Sequence, residues 1–143
     1  MTSLADTDVL VYRFDDRIPE KQQIATEVLR AGIGAGTLYV AHQAIVEFVA
    51  AVTRPQKNTP PILEVADAMR EAEELLMQFE VLYPDAELVR LALRGAAAYQ
   101  LSCFDAHMWA YAERFGMDEI VSEDFQHGRM YGDVRVVNPF VAT

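Results

Sequence analysis

Ser3-Leu4-Ala5-Asp6-Thr7-Asp8-Val9-Leu10-Val11-Tyr12 begins as an apolar run, stops at a carboxylate, and resumes. Residues 2–6 read as a short first strand, and Val9-Leu10-Val11-Tyr12 carries the apolar character into a following turn or helix. An ionised carboxylate in apolar surroundings costs several kcal/mol or more unless it is paired or metal-bound. The chain repeats this costly placement three times. Glu47 interrupts Ala44-Ile45-Val46-Glu47-Phe48-Val49-Ala50-Ala51-Val52, Asp105 lies in Cys103-Phe104-Asp105-Ala106, and Asp124 closes Ile120-Val121-Ser122-Glu123-Asp124. Few cations lie near these acids in sequence. A shared divalent cation with oxygen ligands is the economical compensation.

Outward from that first strand, the pattern alternates. Ile18-Pro19 introduces a helix to about Ala31, with Ile24, Val28 and Leu29 at helical spacing, and Gly32, Gly34 and Gly36 punctuate its end. Residues 37–41 form a second strand. Residues 43–53 form a helix that is apolar almost all round and is therefore expected to be buried. Pro55, Pro60 and Pro61 mark the longest loop. A polar helix over about 62–79 leads to a strand at Glu80-Val81-Leu82. Pro84 opens another helix to Ala98 or Tyr99, and Ser102 through Phe115 forms the next, ended by Gly116. The last strands are 119–122 and 134–138, joined by the turn-rich Gln126-His127-Gly128-Arg129. This is an α/β pattern, a mostly parallel sheet with helices on both faces. Ligands of such sheets bind beyond the carboxyl ends of the strands, near a switch in strand order. Asp6 and Asp124 both stand where a predicted strand stops, on the same rim.

At 143 residues the chain reads as a single domain over 1–143, and its 52% apolar content argues against disorder. The net charge of −10, from 12 basic and 22 acidic side chains, has the wrong sign for holding nucleic acid by broad electrostatics. It suits a cation-binding protein, and a nucleic-acid substrate would need local arginines and bridging metal. No apolar stretch is long enough to cross a bilayer, and the first residues lack a secretory pattern, so a soluble cytoplasmic protein is expected. Cys103 is the only cysteine, which excludes an intrachain disulfide and a thiolate-rich zinc site. It reads as a small core residue.

Single residues refine this picture. Gln43, Ala44, Ala50 and Ala51 neighbour Glu47 at helical spacing, and the alanines leave room for an ion and its waters. Asp105 follows Ser102 at capping-box spacing, which also places it at a helix start. His107 falls on nearly the opposite helix face and reads as structural. Asp15-Asp16 and Glu73-Glu74 read as solvated surface acids, and His42 and His127 lack metal-ligand spacing. Asp6-Thr7-Asp8 also allows a phosphatase of the haloacid-dehalogenase kind, which resembles this D-x-D start. Such enzymes need a later lysine, whereas the only lysines here are Lys21 and Lys57.

With the four acids set on this topology, the chain resembles a PIN domain, specifically the VapC-like ribonuclease toxins of toxin–antitoxin modules. The resemblance rests on Leu4 to Tyr12, Ala44-Ile45-Val46-Glu47-Phe48, Leu101 to Ala106, Ser122 to Gly128 and Val134 to Phe140. It implies a three-layer fold in which Asp6, Glu47, Asp105 and Asp124 bind Mg2+ or Mn2+ and hydrolyse an RNA phosphodiester. Asp6 and Asp105 are the strongest implied ligands. Glu47 and Asp124 complete the shell directly or through water, and Thr7 and Ser122 orient the acids. The resemblance further implies a small cognate antitoxin and a homodimer, and the lack of a bilayer-spanning apolar stretch leads to the expectation of no membrane partner. Asp8 departs from the pattern, since the family commonly carries Asn there. A non-catalytic RNA-binding or interaction module is the remaining alternative. Arg13 and Arg54 are expected to flank the acids and guide the phosphate backbone.

Overall fold

The structure, a computed structural model, describes residues 1–141. Its first strand, β1 (Ser3–Ala5), ends one residue before Asp6, and α1 (Thr7–Tyr12) starts one residue after. The Asp6 carboxylate accepts the Thr7 N–H, so this acid also caps the helix. Next come α2 (Pro19–Ala35), β2 (Leu38–Ala41), α3 (His42–Thr53), α4 (Val65–Gln78) and β3 (Glu80–Leu82). The remainder is α5 (Ala86–Tyr99), α6 (Cys103–Arg114), β4 (Glu119–Val121), β5 (Met130–Tyr131) and β6 (Val134–Val137).

The six strands follow the order β3-β2-β1-β4-β6-β5, parallel except for the edge pair β5–β6. The chain steps outward from β1 to β2 to β3, then returns across the sheet to set β4 against the other side of β1. Strand order therefore switches at β1 and β4, where Asp6 and Ser122 leave the sheet. The crossovers put α1 to α4 on one face and the α5–α6 pair on the other. Leu4, Val40, Ile120 and Val136 fill the sheet core, with Leu10, Leu29, Phe48 and Leu75 packed among the helices of the first face.

Several expectations are corrected. Helix α2 runs four residues beyond Ala31, through Gly32 and Gly34, and ends at Gly36, whose φ of 69° makes it the left-handed cap. Gly32 is there for packing. A Cβ on it would stand 2.5 Å from that of Leu38. Helix α3 buries only the stripe Ala44, Phe48 and Val52, and Val46 stays 56% exposed. Cys103 is exposed, because it opens α6 at the rim rather than facing the core. Asp15 is buried, held by both arms of Arg17 at 2.7 and 2.9 Å. The two-residue strand β5 gives too short a pattern for sequence periodicity to register.

Candidate metal centre

Asp6, where β1 turns into α1, is buried, with 4% exposure. Its Oδ1 accepts the Thr7 N–H at 2.7 Å, and its Oδ2 accepts the Ser122 hydroxyl at 2.6 Å. Ser122, itself fully buried just beyond β4, uses its oxygen to accept the Asp124 N–H at 3.0 Å. Neighbouring strand ends are thus stitched through one hydroxyl. Parallel pairing of Ala5 with Val121 supplies the register that makes this possible.

Asp8, one residue into α1, turns back toward the same strand end. Its Oδ2 accepts the Glu123 N–H at 3.0 Å, with the Ser122 hydroxyl 3.4 Å away. Its Oδ1 is buried with no hydrogen-bond partner among the described residues. One carboxylate oxygen from each of Asp6, Asp8 and Asp124 lies within 4.8 Å of the others.

This crowding is costly without a cation. Burial, the Ser122 and Thr7 hydrogen bonds, and the charges of Asp124 and Asp105 together leave the Asp6 pKa at about 7, with burial dominant. Asp8 is pushed up to about 8, by burial first and then by the Asp6 charge. Asp124 and Asp105 are also raised, chiefly by burial, and Asp124 additionally by Asp105, Glu123 and Glu47. The donors are all hard oxygens, one buried oxygen is orphaned, and no described ion pair neutralises Asp6, Asp8 or Asp124. That chemistry fits a divalent cation of the Mg2+ or Mn2+ type.

Glu47 and Asp105 come from α3 and α6. The half-buried Glu47 accepts the Thr7 hydroxyl and Gln43 Nε2, each at 3.2 Å, and the same Gln43 nitrogen donates to the Phe104 carbonyl at 3.1 Å. That bridge ties α3 to the start of α6. Asp105 sits in the first turn of α6, where its N–H donates to the hydroxyl of the N-cap Ser102 at 3.1 Å. Neither Glu47 nor Asp105 joins the three-oxygen group, although both act on Asp124 through their charge. Of the four acids singled out from sequence, Asp6 and Asp124 share that group. Asp8 is the third member, and Glu47 and Asp105 stand outside it.

A groove of about 680 Å³ opens beside the acids, lined by Thr7, Asp8, Glu47, Asp124, Arg54 and Phe104 among others. Arg17 also lines it, clamped to Asp15 and Gln56. Arg13 does not. It lies over the Phe14 ring beside α2 and α4 and shares a separate cavity with Arg30, so the expected Arg13–Arg54 flank is corrected to Arg17 and Arg54. Behind the Ser122–Asp124 turn, Lys21 donates to Glu123 at 2.7 Å, and the Tyr12 hydroxyl donates to the same carboxylate. This clamp was not legible in the sequence, because its members are about a hundred residues apart. His107 bonds its own helix through the Cys103 carbonyl at 2.7 Å, and His127 accepts the Asn138 N–H at 3.0 Å, so both are structural.

This architecture, acids gathered at the switch point of a parallel sheet, matches a known family. The chain belongs to the PIN-domain family, whose model matches residues 4–133. No curated protein sequence matches it. Among solved structures, it is similar to a toxin–antitoxin complex from Klebsiella pneumoniae, with 15% identity and a TM-score of 0.70 over 97% of this chain and 98% of that one. It is also similar to FitAcB from Neisseria gonorrhoeae, at 18% identity and TM-score 0.67, covering 97% and 99% of the two chains. A third is VapC20 of Mycobacterium tuberculosis, a toxin that cleaves the sarcin–ricin loop, at 12% identity and TM-score 0.68, covering 86% and 90%. At these identities the likeness is one of fold.

Proposed function

We propose that this protein is a divalent-metal-dependent endoribonuclease and the toxin of a toxin–antitoxin pair. The observation that carries the reading is the convergence of Asp6, Asp8 and Asp124 on one point at the β1–β4 switch, beside a groove that also presents Glu47 and Arg54. PIN-domain membership supports it, as do a toxin–antitoxin complex and a sarcin–ricin-loop-cleaving toxin among its structural neighbours.

In this reading Asp6, Glu47, Asp105 and Asp124 form the acidic cluster around Mg2+ or Mn2+, with Glu47 and Asp105, which lie outside the three-oxygen group, reaching the ion through water. When bound, such an ion activates water for in-line attack and stabilises charge developing on the phosphate. Thr7 and Ser122 hold the Asp6 oxygens in place, so little reorganisation is needed. Thr7 and Gln43 hold the Glu47 carboxylate beside them. Arg54 offers the groove a cation for a backbone phosphate, which an acidic protein needs to offset general repulsion. The Asp6/Asp8 phosphatase is less well supported. Lys21, one of the two lysines that could hold a phosphate, is committed to Glu123.

The antitoxin and a homodimeric state belong to the same proposal, as does a single-domain organisation over 1–143 in the cytoplasm. Val65, Met69 and Leu76 are exposed along one side of α4, and Val46 and Phe104 are exposed beside the acids, which gives partners apolar surface to cover. Among the described residues, no helix is long and apolar enough to cross a membrane.

The test is transcriptome-wide mapping of new RNA ends after brief induction, compared with an Asp6→Asn control. New ends at discrete sites with the native chain alone support the reading. Identical profiles from both chains contradict it.

A further inference from the structure

We propose that Asp8 is a direct ligand of the divalent ion, joining Asp6 and Asp124, rather than a bystander on α1. The inference rests on the metal-dependent reading above and deepens it. Two oxygens bound to one ion at about 2.0–2.6 Å can be separated by no more than about twice that distance. The Asp6, Asp8 and Asp124 oxygens all lie within 4.8 Å of one another, inside the upper end of that span. An ion as small as Mg2+, with bonds of about 2.0–2.1 Å, needs them to draw in by less than about 1 Å. Glu47 and Asp105 are outside the group.

The second observation is the state of the two Asp8 oxygens. Oδ2 is anchored by the Glu123 N–H at 3.0 Å, and Oδ1 is buried without a partner among the described residues. A buried acceptor left unpaired costs roughly 1–3 kcal/mol, more when charged, so an orphaned carboxylate oxygen signals a missing partner. No lysine or arginine fills that place. Lys21, which approaches this turn, is engaged with Glu123 and Tyr12. One arm tied to a backbone amide and one arm free is the arrangement of a ligand oriented by its outer hydrogen bond.

Asp8 is moreover tied to the same turn as Asp124. The amides of Glu123 and Asp124 engage Asp8 Oδ2 and Ser122 Oγ respectively, so the Ser122–Asp124 segment positions the three acids as a unit. Three carboxylates on one ion favour a hard divalent cation and retain a net negative charge once it binds. The groove cation Arg54 then becomes important for admitting a phosphate.

Two measurements decide it. Mn2+ binding to the full chain is followed by the loss of the free-ion electron paramagnetic resonance signal. Asp8→Asn, isosteric with the native side chain and checked for folding by circular dichroism, should weaken Mn2+ by more than about tenfold, at least the loss that follows removal of an outer partner. Unchanged affinity in that variant overturns the proposal. Asp8→Cys, made in a Cys103→Ser background, should lose Mn2+ and instead bind Cd2+ with a sulfur-to-metal charge-transfer band, because a thiolate is a soft ligand. Weakened Mn2+ binding in Asp8→Asn, with no such band in a folded Asp8→Cys chain, also overturns it, since Asp8 then acts only through its field. Mn2+ binding that depends on Asp8 in a protein that cuts no RNA would sink the nuclease reading and leave this assignment standing. RNA cleavage with Asp8-independent Mn2+ binding would do the reverse.

Discussion

Ser122 Oγ donates to Asp6 Oδ2 at 2.6 Å, joining the ends of β4 and β1 through a fully buried hydroxyl. The same oxygen accepts from the Asp124 amide, so its removal leaves two acids less well held. Ser122→Ala should cost about 1–3 kcal/mol of stability, the penalty for a buried polar group stripped of its partner. It should also weaken Mn2+ binding. Urea denaturation and Mn2+ titration check both effects. A variant as stable as the parent and equal in metal affinity would show that this contact positions nothing.

The metal-free protein should lose stability as pH rises. Asp6 and Asp8, at about 7 and about 8, hold protons in the folded chain that the unfolded chain releases near its ordinary carboxylate pKa. Their contribution to folding is least unfavourable below about pH 4. It worsens through the interval up to about pH 7–8, where the unfolded state binds fewer protons than the folded one. Above the folded pKa values the penalty is constant. In EDTA, the urea midpoint should therefore fall between pH 5 and pH 8. Mn2+ should reverse the trend, and Asp8→Asn should flatten it. A midpoint that climbs over this range in EDTA contradicts the assigned burial of these acids.

Two glycines should respond in opposite directions to alanine. Gly34 lies within α2 with no described atom within 4 Å of an added Cβ, so Gly34→Ala should stabilise by about 1 kcal/mol through helix propensity. Gly95 faces Trp109, whose ring would stand 2.3 Å from a Cβ. Trp109 is fixed by its indole N–H donating to the Tyr131 carbonyl at 2.9 Å, so it yields little. Gly95→Ala should cost about 1–3 kcal/mol as an overpacked α5–α6 contact. Denaturation midpoints of the two variants on opposite sides of the parent are the expected result.

Much of the fold is legible in the sequence because strands and helices carry different apolar periods. Asp6 and Asp124 could be placed on one rim because both follow short apolar strands. The misreadings have a common cause in tertiary contacts. Gly32 looked like punctuation, yet it serves the close approach of Leu38. Asp15 looked solvated because nothing local reveals that Arg17 folds back onto it. Val46 and Cys103 looked like core, but each faces outward at the rim beside the acids. Asp8 reads from sequence as half of a D-x-D pair and as an acid where the family commonly carries Asn, a charge that either strengthens metal binding, repels phosphate or points outward. Its anchor, the Glu123 amide, is 115 residues away and belongs to the backbone, which leaves no side-chain signature.

Arg54 and Arg13 separate groove from fold. Arg54 lines the groove, and Arg13 packs on Phe14 away from it. Arg54→Gln should weaken RNA binding at low salt and flatten the salt dependence by about 0.7 in log–log slope for a single-stranded RNA. Arg13→Gln should leave that slope unchanged. Equal slopes for the parent and Arg54→Gln would remove Arg54 from the phosphate path.

The central claim is that the acids at the β1–β4 switch hold a cation that drives RNA hydrolysis. Its most direct measurement is cleavage of an RNA pool by the purified chain, with Mg2+ or Mn2+ added or with EDTA, alongside folded Asp6→Asn protein. The account predicts discrete cleavage with metal, loss of cleavage in EDTA with recovery on adding Mn2+, and little cleavage by Asp6→Asn under any condition. Full cleavage in EDTA, or by Asp6→Asn, would contradict it.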